Sequence, residues 1–469
     1  MTEIILPMGW STAPLGEIAD TTLGKMLDKS KSTGKHPVPY MRNINIQWGH
    51  IDLDNVFTMD ISPSEQEFFA LQEGDLLVCE GGEIGRCAIW HYNSGYTAFQ
   101  KALHRVRPTE AATTYYLRYY FEYLARTGKL ARFATGSTIK HLPQQRLREI
   151  PIVLPPPAEQ TRIVETLEDH FSHLDTAIRE LKSARKKIFA LRKSTLLRLV
   201  PEVPPRTWSV ITTGEAGIVE LGRQRHPDWH HGPEMHPYLR VANVFEDRID
   251  TSDVMEMDFS GVFEKYRLEP GDILLNEGQS PHLVGRPAIY RGNPPNVAYT
   301  NSILRFRPHP NVLSEWALIV FRRHMHARRF MREVRITTNI AHLSKKRLEN
   351  VEFPVPSIEE QKRLVQSCDE IMSNADAMEH TIERNLAYAE NLRTSLLNRA
   401  FSGSLVPQNA ADTPASVYLD STCAKRYGEF GERRGGIRRS RKASAVIDTP
   451  SPPTTSPALA KAVQQELSL

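Results

Sequence analysis

A chain of 469 residues exceeds what one ordinary core organises and points to two or three domains. Its 40% hydrophobic and 24% charged content is that of a globular protein, and it holds no apolar run on the order of eighteen residues that could span a bilayer. A formal charge of +4 is too mild to name a partner class. Cys79, Cys87, Cys368 and Cys423 are scattered and lack a CxxC pair, which excludes a disulfide framework and predicts free thiols. The opening MTEIILPMGW has no basic flank, long apolar core or small-residue cleavage site, so a cytoplasmic location is expected.

In chain order, the first stretch WSTAPLGEIADTTLGK (Trp10 to Lys25) returns as WSVITTGEAGIVELGR (Trp208 to Arg223). PYMRNINIQWGHID then returns as PYLRVANVFEDRID, and LQEGDLLVCEGGEIGRCAIW (Leu71 to Trp90) as LEPGDILLNEGQSPHLVGRPAIY (Leu268 to Tyr290). The match continues through GSTIKHL (Gly136 to Leu142) with TTNIAHL (Thr337 to Leu343), and LPPPAEQTRIV with VPSIEEQKRLV. The chain is a tandem duplication of a unit of about two hundred residues, far larger than a solenoid repeat.

Each unit reads alike. Short apolar runs after Gly turns, such as DLLV at Asp75 and DILL at Asp272, predict strands. A helix is predicted over Tyr115 to Thr127 and another over Ser314 to Met331; proline clusters at Pro155 to Pro157 and Pro354 to Pro356 close the mixed domains. A long helix follows each cluster. Leu167, Phe171, Leu174, Ile178, Leu181, Ile188 and Leu191 recur at spacings of three and four, interrupted at Arg185, as do Leu364, Cys368, Ile371, Ala375, Met378, Ile382, Ala389, Leu392 and Leu396. Such stripes predict an a/d seam on rods of roughly 60 Å. Each helix is longer than its own domain needs, so the best partner of each is the other, and chain direction makes the pair antiparallel about a pseudo-twofold axis.

The repeated W…GE…G openings, PYMR and PYLR, the GD segments, and the helix starts PPAEQTRIV and PSIEEQKRLV together resemble the specificity subunit of type I restriction and modification systems, over about residues 8 to 403. The resemblance implies a non-catalytic subunit with two target-recognition domains, each reading one half of a bipartite DNA site, held apart by two helices that also dock modification subunits. The expected fold is α+β: target-recognition domains at 1–157 and 201–356, spacer helices at 158–200 and 357–402, and a disordered tail at 403–469. Expected partners are double-stranded DNA, two modification subunits and, for cleavage, two restriction (motor-nuclease) subunits. S-adenosylmethionine, ATP and Mg would belong to those partners, with no cofactor in this chain. Two diverged domains on a stiff spacer independently suit half-sites one helical turn, roughly 34 to 36 Å, or a multiple apart.

The duplication also separates frame from readout. Positions kept in both copies are candidates for scaffold or phosphate contact: Arg42 and Arg240, Arg86 and Arg286, His141 and His342. Positions that changed are candidates for base contact, among them Asn43 beside Val241, Gln47-Trp48-Gly49 beside Phe245-Glu246-Asp247, and GGEIG beside GQSPHLVG. Thr135, Ser137, Thr138 and Lys140, with Thr337, Thr338 and Asn339, supply hydroxyl, amide and ammonium groups of the kind that meet base edges and phosphates. Capping of a following turn is the alternative use of the hydroxyls. Arg126, Lys129 and Arg132, or Arg328, Arg329, Arg332 and Arg335, lie close enough in sequence to reach phosphates.

Three features invite other readings. NPPN at Asn293 to Asn296 approaches the tetrapeptide of adenine methyltransferases but ends in Asn, which does not stack on a flipped base. His226, His230, His231 and His236 are split by Pro227 and Pro233, which excludes a helical metal pair, so no metal site is expected. CEGGEIGRC lacks the Lys-Ser/Thr ending of a phosphate loop. The Pro-, Ser-, Gly- and Arg-rich tail shows no periodicity. A stand-alone adenine methyltransferase, a scaffold without DNA specificity, and the specificity chain of a related class with a fused methylase-nuclease partner remain the alternatives.

Overall fold

The computed structural model describes residues 6–27, 34–92, 95–137, 140–337 and 340–425, without the side chains of 335–337. Internal contacts divide the chain into one unit of residues 1–172 with 392–469 and a second of residues 173–391.

In the first unit a four-stranded antiparallel sheet runs in the order Ala19–Leu23, Leu103–Pro108, Leu76–Cys79, Cys87–Ile89. A second sheet places Pro37–Met41 between Phe57–Asp60, antiparallel, and Ala98–Phe99, parallel. Ser11–Pro14 pairs with Pro151–Leu154. The second unit repeats this plan strand for strand, with Gly217–Leu221, Ile303–Pro308, Ile273–Asn276 and Pro287–Ile289 in its larger sheet. It adds a three-stranded sheet of Gly278–Gln279, Ile340–His342 and Arg335–Thr337.

The repeated phrases are points of attachment. In each GD turn the glycine, Gly74 at φ +88 or Gly271 at φ +100, adopts the left-handed conformation that side chains resist. The aspartate that follows is buried: Asp75 accepts from Arg107, and Asp272 accepts from Arg307 Nε at 2.7 Å. At each helix start a fully buried glutamine satisfies three backbone groups. Gln160 accepts from Thr113 N and donates to the carbonyls of Ala111 and Pro155; Gln361 does the same with Leu313, Asn311 and Pro356.

The central helices span Thr114–Arg126 and Ser314–His326. The second is shorter than its pattern predicts because Arg328 turns left-handed at φ +55, where the first domain has Gly128 at φ +71. Both helices are core elements. Trp316, Val320 and Phe321 pack with Phe306, Phe353 and Trp208 in the second domain, and Tyr116, Tyr120 and Tyr123 surround Phe401 in the first.

The long helices run over Pro157–Leu199 and Ile358–Phe401. Their pairing within the second unit is antiparallel: Arg192 meets Asp376 and Glu379, while the earlier Arg185 meets Glu379 and the later Glu383. Leu181, Ala184 and Ile188 pack against Ala375, Ile382 and Leu386. Leu174, Ile178, Ile371 and Leu392 are half-buried. Leu167, Phe171 and Leu396 are buried in the first unit, and Leu364 packs on the core of the second domain. Met378 is a correction to the expected seam, since it is 56% exposed, as is its opposite number Leu191 at 43%. A straight helix drifts about 20° per heptad against a 3.5-residue repeat, so the neighbouring Glu379 and Arg192 turn inward instead.

The tail expected from Gly403 onward is also corrected. Residues 404–425 dock on the first domain, and 415–425 are helical. Arg162 Nη2 donates to Asp412 Oδ2 at 2.6 Å, Ala415 N donates to Gly9 O at 3.0 Å, and Val406, Ala415 and Thr422 are buried. Charge and proline content hid the apolar contacts that sit among them. Residues 426–469 lie outside the described range.

Candidate nucleic-acid interface

In the first domain, three segments that diverged between the repeats converge at one place. Asn43 Nδ2 donates to Gly81 O at 2.6 Å, joining the turn after PYMR to the turn at 81–85. Gly81 bridges to His141, which exchanges backbone hydrogen bonds with Thr135 at 2.8 and 2.9 Å, so the 135–141 loop closes on the same edge. A Cβ on Gly81 would lie 3.2 Å from the His141 ring, which explains the glycine under a kept histidine. Leu142 N then donates to Glu80 O and buries the end of the loop.

The second domain repeats the junction with other side chains. Gly278 pairs with His342, a Cβ there would meet the imidazole at 3.1 Å, and Leu343 N donates to Glu277 O. His342 Nδ1 lies 3.2 Å from Glu277 Oε2. Arg286 sits 4.7 Å over the Phe245 ring. Glu246 is turned inward to Arg322 and His326, both at 2.9 Å. Burial opposes its ionisation, but the His326 hydrogen bond and the Arg322 charge outweigh burial and hold its carboxyl at about 2.

The kept arginines make contacts within the frame. Arg42 N donates to Asn45 Oδ1, and its guanidinium donates to Asn55 O at 2.8 Å over the Phe57 ring. Arg240 makes the same backbone bond to Asn243 and an ion pair with Asp253. Asn45 and Asn243, which drew no attention in the sequence, are the buried knots of this turn. Arg86 Nη2 donates to the carbonyl of Asn43 at 3.0 Å.

The exposed chemistry of the loops lies in Thr135, Ser137, Lys140 and His141. Thr138, Thr338 and Asn339 lie outside the described residues, and only the backbone of Thr337 is described. The basic residues expected to reach phosphates divide. Arg126 pairs with the buried Glu122, Lys129 with Tyr123, and Arg329 with Glu352 and Glu333, whereas Arg132 is exposed and Arg332 is 3.8 Å from Glu202 on the surface.

Glu83 and Trp48 complete the first-domain cluster. Trp48 Nε1 donates to Glu83 Oε1 at 2.6 Å, and Arg86 Nη1 lies 3.3 Å from Glu83 Oε2. Both residues sit in diverged segments; a carboxylate is simply not what a search for phosphate ligands selects.

The misleading motifs are occupied otherwise. Pro294 gives its carbonyl to the Tyr290 hydroxyl. His236 stacks on Phe263 at 3.6 Å, and His226 Nδ1 accepts from Asp228 N. Among the described residues no group of three or more His, Cys, Asp or Glu side chains is gathered to hold a metal. Cys79 and Cys87 are buried and free, and burial pushes the Cys79 thiol up to about 11.

Two copies of one mixed domain, each carrying diverged loops on a kept frame and each followed by a long helix, define a modular sequence-reading protein. The family profile described as Type I restriction modification DNA specificity domain matches residues 7–183 and again 217–387, and the chain belongs to this family. It is 23% identical over 462 residues to the type I restriction enzyme EcoKI specificity subunit of Escherichia coli K12, covering 94% of this chain and 99% of that one. It is likewise 23% identical to the StySPI specificity subunit of Salmonella potsdam, covering 93% and 98%. Among solved structures, a chain from a type I R-M system superposes with a TM-score of 0.67 at 19% identity, covering 85% of this chain and 99% of that one. The HsdS subunit from Thermoanaerobacter tengcongensis superposes at 0.52 with 20% identity, covering 86% and 99%. The chain is a DNA sequence-specificity subunit. No helix among the described residues is long and apolar enough to cross a membrane.

Proposed function

We propose that each domain reads one half of a bipartite, asymmetric DNA site and that the chain, itself non-catalytic, directs adenine methylation or restriction by partner subunits in the cytoplasm. The observation that carries this reading is the convergence of independently diverged loops at the same junction of a kept frame in both domains. A frame that is kept while its loops change suits two readers of different sequences.

The paired helices provide the docking surface for two modification subunits, with two restriction subunits joining for cleavage. Phe189, Leu191, Met378 and Tyr388 are exposed apolar side chains on these helices, at 61%, 43%, 56% and 67%. Large apolar groups left on an otherwise charged rod suit a protein partner. S-adenosylmethionine, ATP and Mg are assigned to the partners.

Co-expression with a type I modification subunit, followed by genome-wide mapping of methyladenine, tests the reading. A split motif with a fixed gap is expected; a contiguous motif, or no methylation, would count against it.

A further inference from the structure

We propose that Glu83 reads a cytosine in the half-site bound by the first domain, an inference that rests on the function proposed above. The carboxylate is 55% exposed, yet each oxygen is held: Oε1 by the Trp48 indole N–H at 2.6 Å and Oε2 by the Arg86 guanidinium at 3.3 Å. Arg86 is itself fixed on the Asn43 carbonyl at 3.0 Å, and Asn43 on Gly81 at 2.6 Å. The turn has little freedom. Gly82 and Gly85 are left-handed at φ +73 and +80, and a Cβ on Gly85 would come within 2.2 Å of Leu130.

A fixed, outward carboxylate at a DNA-reading junction is repelled by phosphates unless it accepts a hydrogen bond from a base. In the major groove, guanine presents only acceptors, and thymine an acceptor and a methyl group. Adenine sets a ring-nitrogen acceptor beside its amine, facing the second carboxylate oxygen. Cytosine presents an amine alone and is the base whose edge fits. Trp48 and Arg86 leave lone pairs on both oxygens for that amine.

The device is confined to one domain. The corresponding turn, GQSPHLVG, carries no carboxylate, and Glu246, which stands in the place of Trp48, is turned inward to Arg322 and His326. The two domains thus differ at this position in chemistry as well as in loop length.

The test maps methyladenine in a host without its own adenine methylases, using the complete complex with its methylase partner and the wild-type, Glu83→Ala, Glu83→Gln or Trp48→Phe chain. In the wild type, one half of the motif should contain a fixed C·G pair. Glu83→Ala should relax that pair alone, lowering discrimination there by about tenfold or more, with the other half and the gap unchanged. Glu83→Gln should admit adenine at the same position, because an amide pairs with both groups of the adenine edge. Trp48→Phe, which releases one carboxylate oxygen and leaves the other on Arg86, should give a weaker relaxation at that pair. An unchanged motif in both Glu83 variants, a wild-type motif lacking any fixed C·G pair in either half, or loss of all methylation in both Glu83 variants would overturn the inference. A wild-type chain that yields no split motif would instead overturn the reading on which it rests.

Discussion

Arg192 Nη1 donates to Glu379 Oε2 at 2.6 Å, and its Nη2 reaches Asp376 Oδ1 at 2.5 Å, within the apolar contacts of the paired long helices. Arg185 adds a second cation on Glu379 at 3.3 Å. The layer lies next to the Ile188, Ala375 and Ile382 contact, so it fixes which turn of one helix faces which turn of the other.

Removing one partner of this layer should cost more than removing both. Glu379→Ala takes from Arg192 and Arg185 the carboxylate they share, leaving them only Asp376 and Glu383, and is expected to destabilise by about 1–2 kcal/mol, whereas Arg192→Leu with Glu379→Leu should be near neutral. Urea unfolding of the single and double variants checks this, with equal losses in both as the contrary result.

Gln160 and Gln361 should each be worth more than an ordinary polar contact. Replacement by Ala strands a buried N–H and two carbonyls at the junction of domain and helix, with an expected loss of about 1–3 kcal/mol. Thermal unfolding of Gln160→Ala and Gln361→Ala measures it; exposed Gln366→Ala should be silent.

Stability should fall as pH drops from 6.5 toward 4. His104 is fully buried with Nε2 on Leu142 O at 2.8 Å, and burial holds its pKa at about 4, below the ordinary 6.5. His324, with Nε2 on Glu352 O at 3.0 Å, is held low chiefly by burial as well. The unfolded chain takes up these protons first, so the stabilisation is complete above pH 6.5 and is lost as pH falls through that window. For His104 the loss is about 3 kcal/mol. Denaturant midpoints at pH 7 and 4.5 should differ less in His104→Gln, which keeps a donor for the Leu142 carbonyl and does not titrate. An identical difference in wild type and variant would contradict this assignment.

Truncation should act at a sharp boundary. Removing residues 426–469 is expected to leave stability unchanged, while removing 404–469 exposes the sites of Val406, Ala415 and Thr422 and breaks the Arg162–Asp412 pair. The longer deletion should destabilise the first domain by at least about 2 kcal/mol, the worth of burying Val406 alone. A deletion of 410–469, harmless if the tail were merely irregular, should also destabilise, because it breaks the Arg162–Asp412 pair and uncovers the sites of Ala415 and Thr422 while keeping Val406. Calorimetry of the three truncations distinguishes these outcomes.

The sequence by itself determined the duplication, the order of elements, the two long helices and the loops that differ between copies. It did so because those features are written in local patterns: apolar periodicity, turn glycines and a repeat long enough to align. It also marked PYMR and PYLR, GD and EQ as special without saying why. Only the tertiary structure decided that Arg42 and Asn45 form a turn knot, that Asp75 and Gln160 saturate buried groups, and that Met378 yields its place to Glu379. It also brought Asn43, Trp48, Glu83 and His141 together from three separate segments and seated residues 404–425 on the first domain. Hydrogen-bond partners and small rotations of a helix face depend on neighbours far away in the chain. A single sequence records which residues are available for such contacts, and packing selects among them.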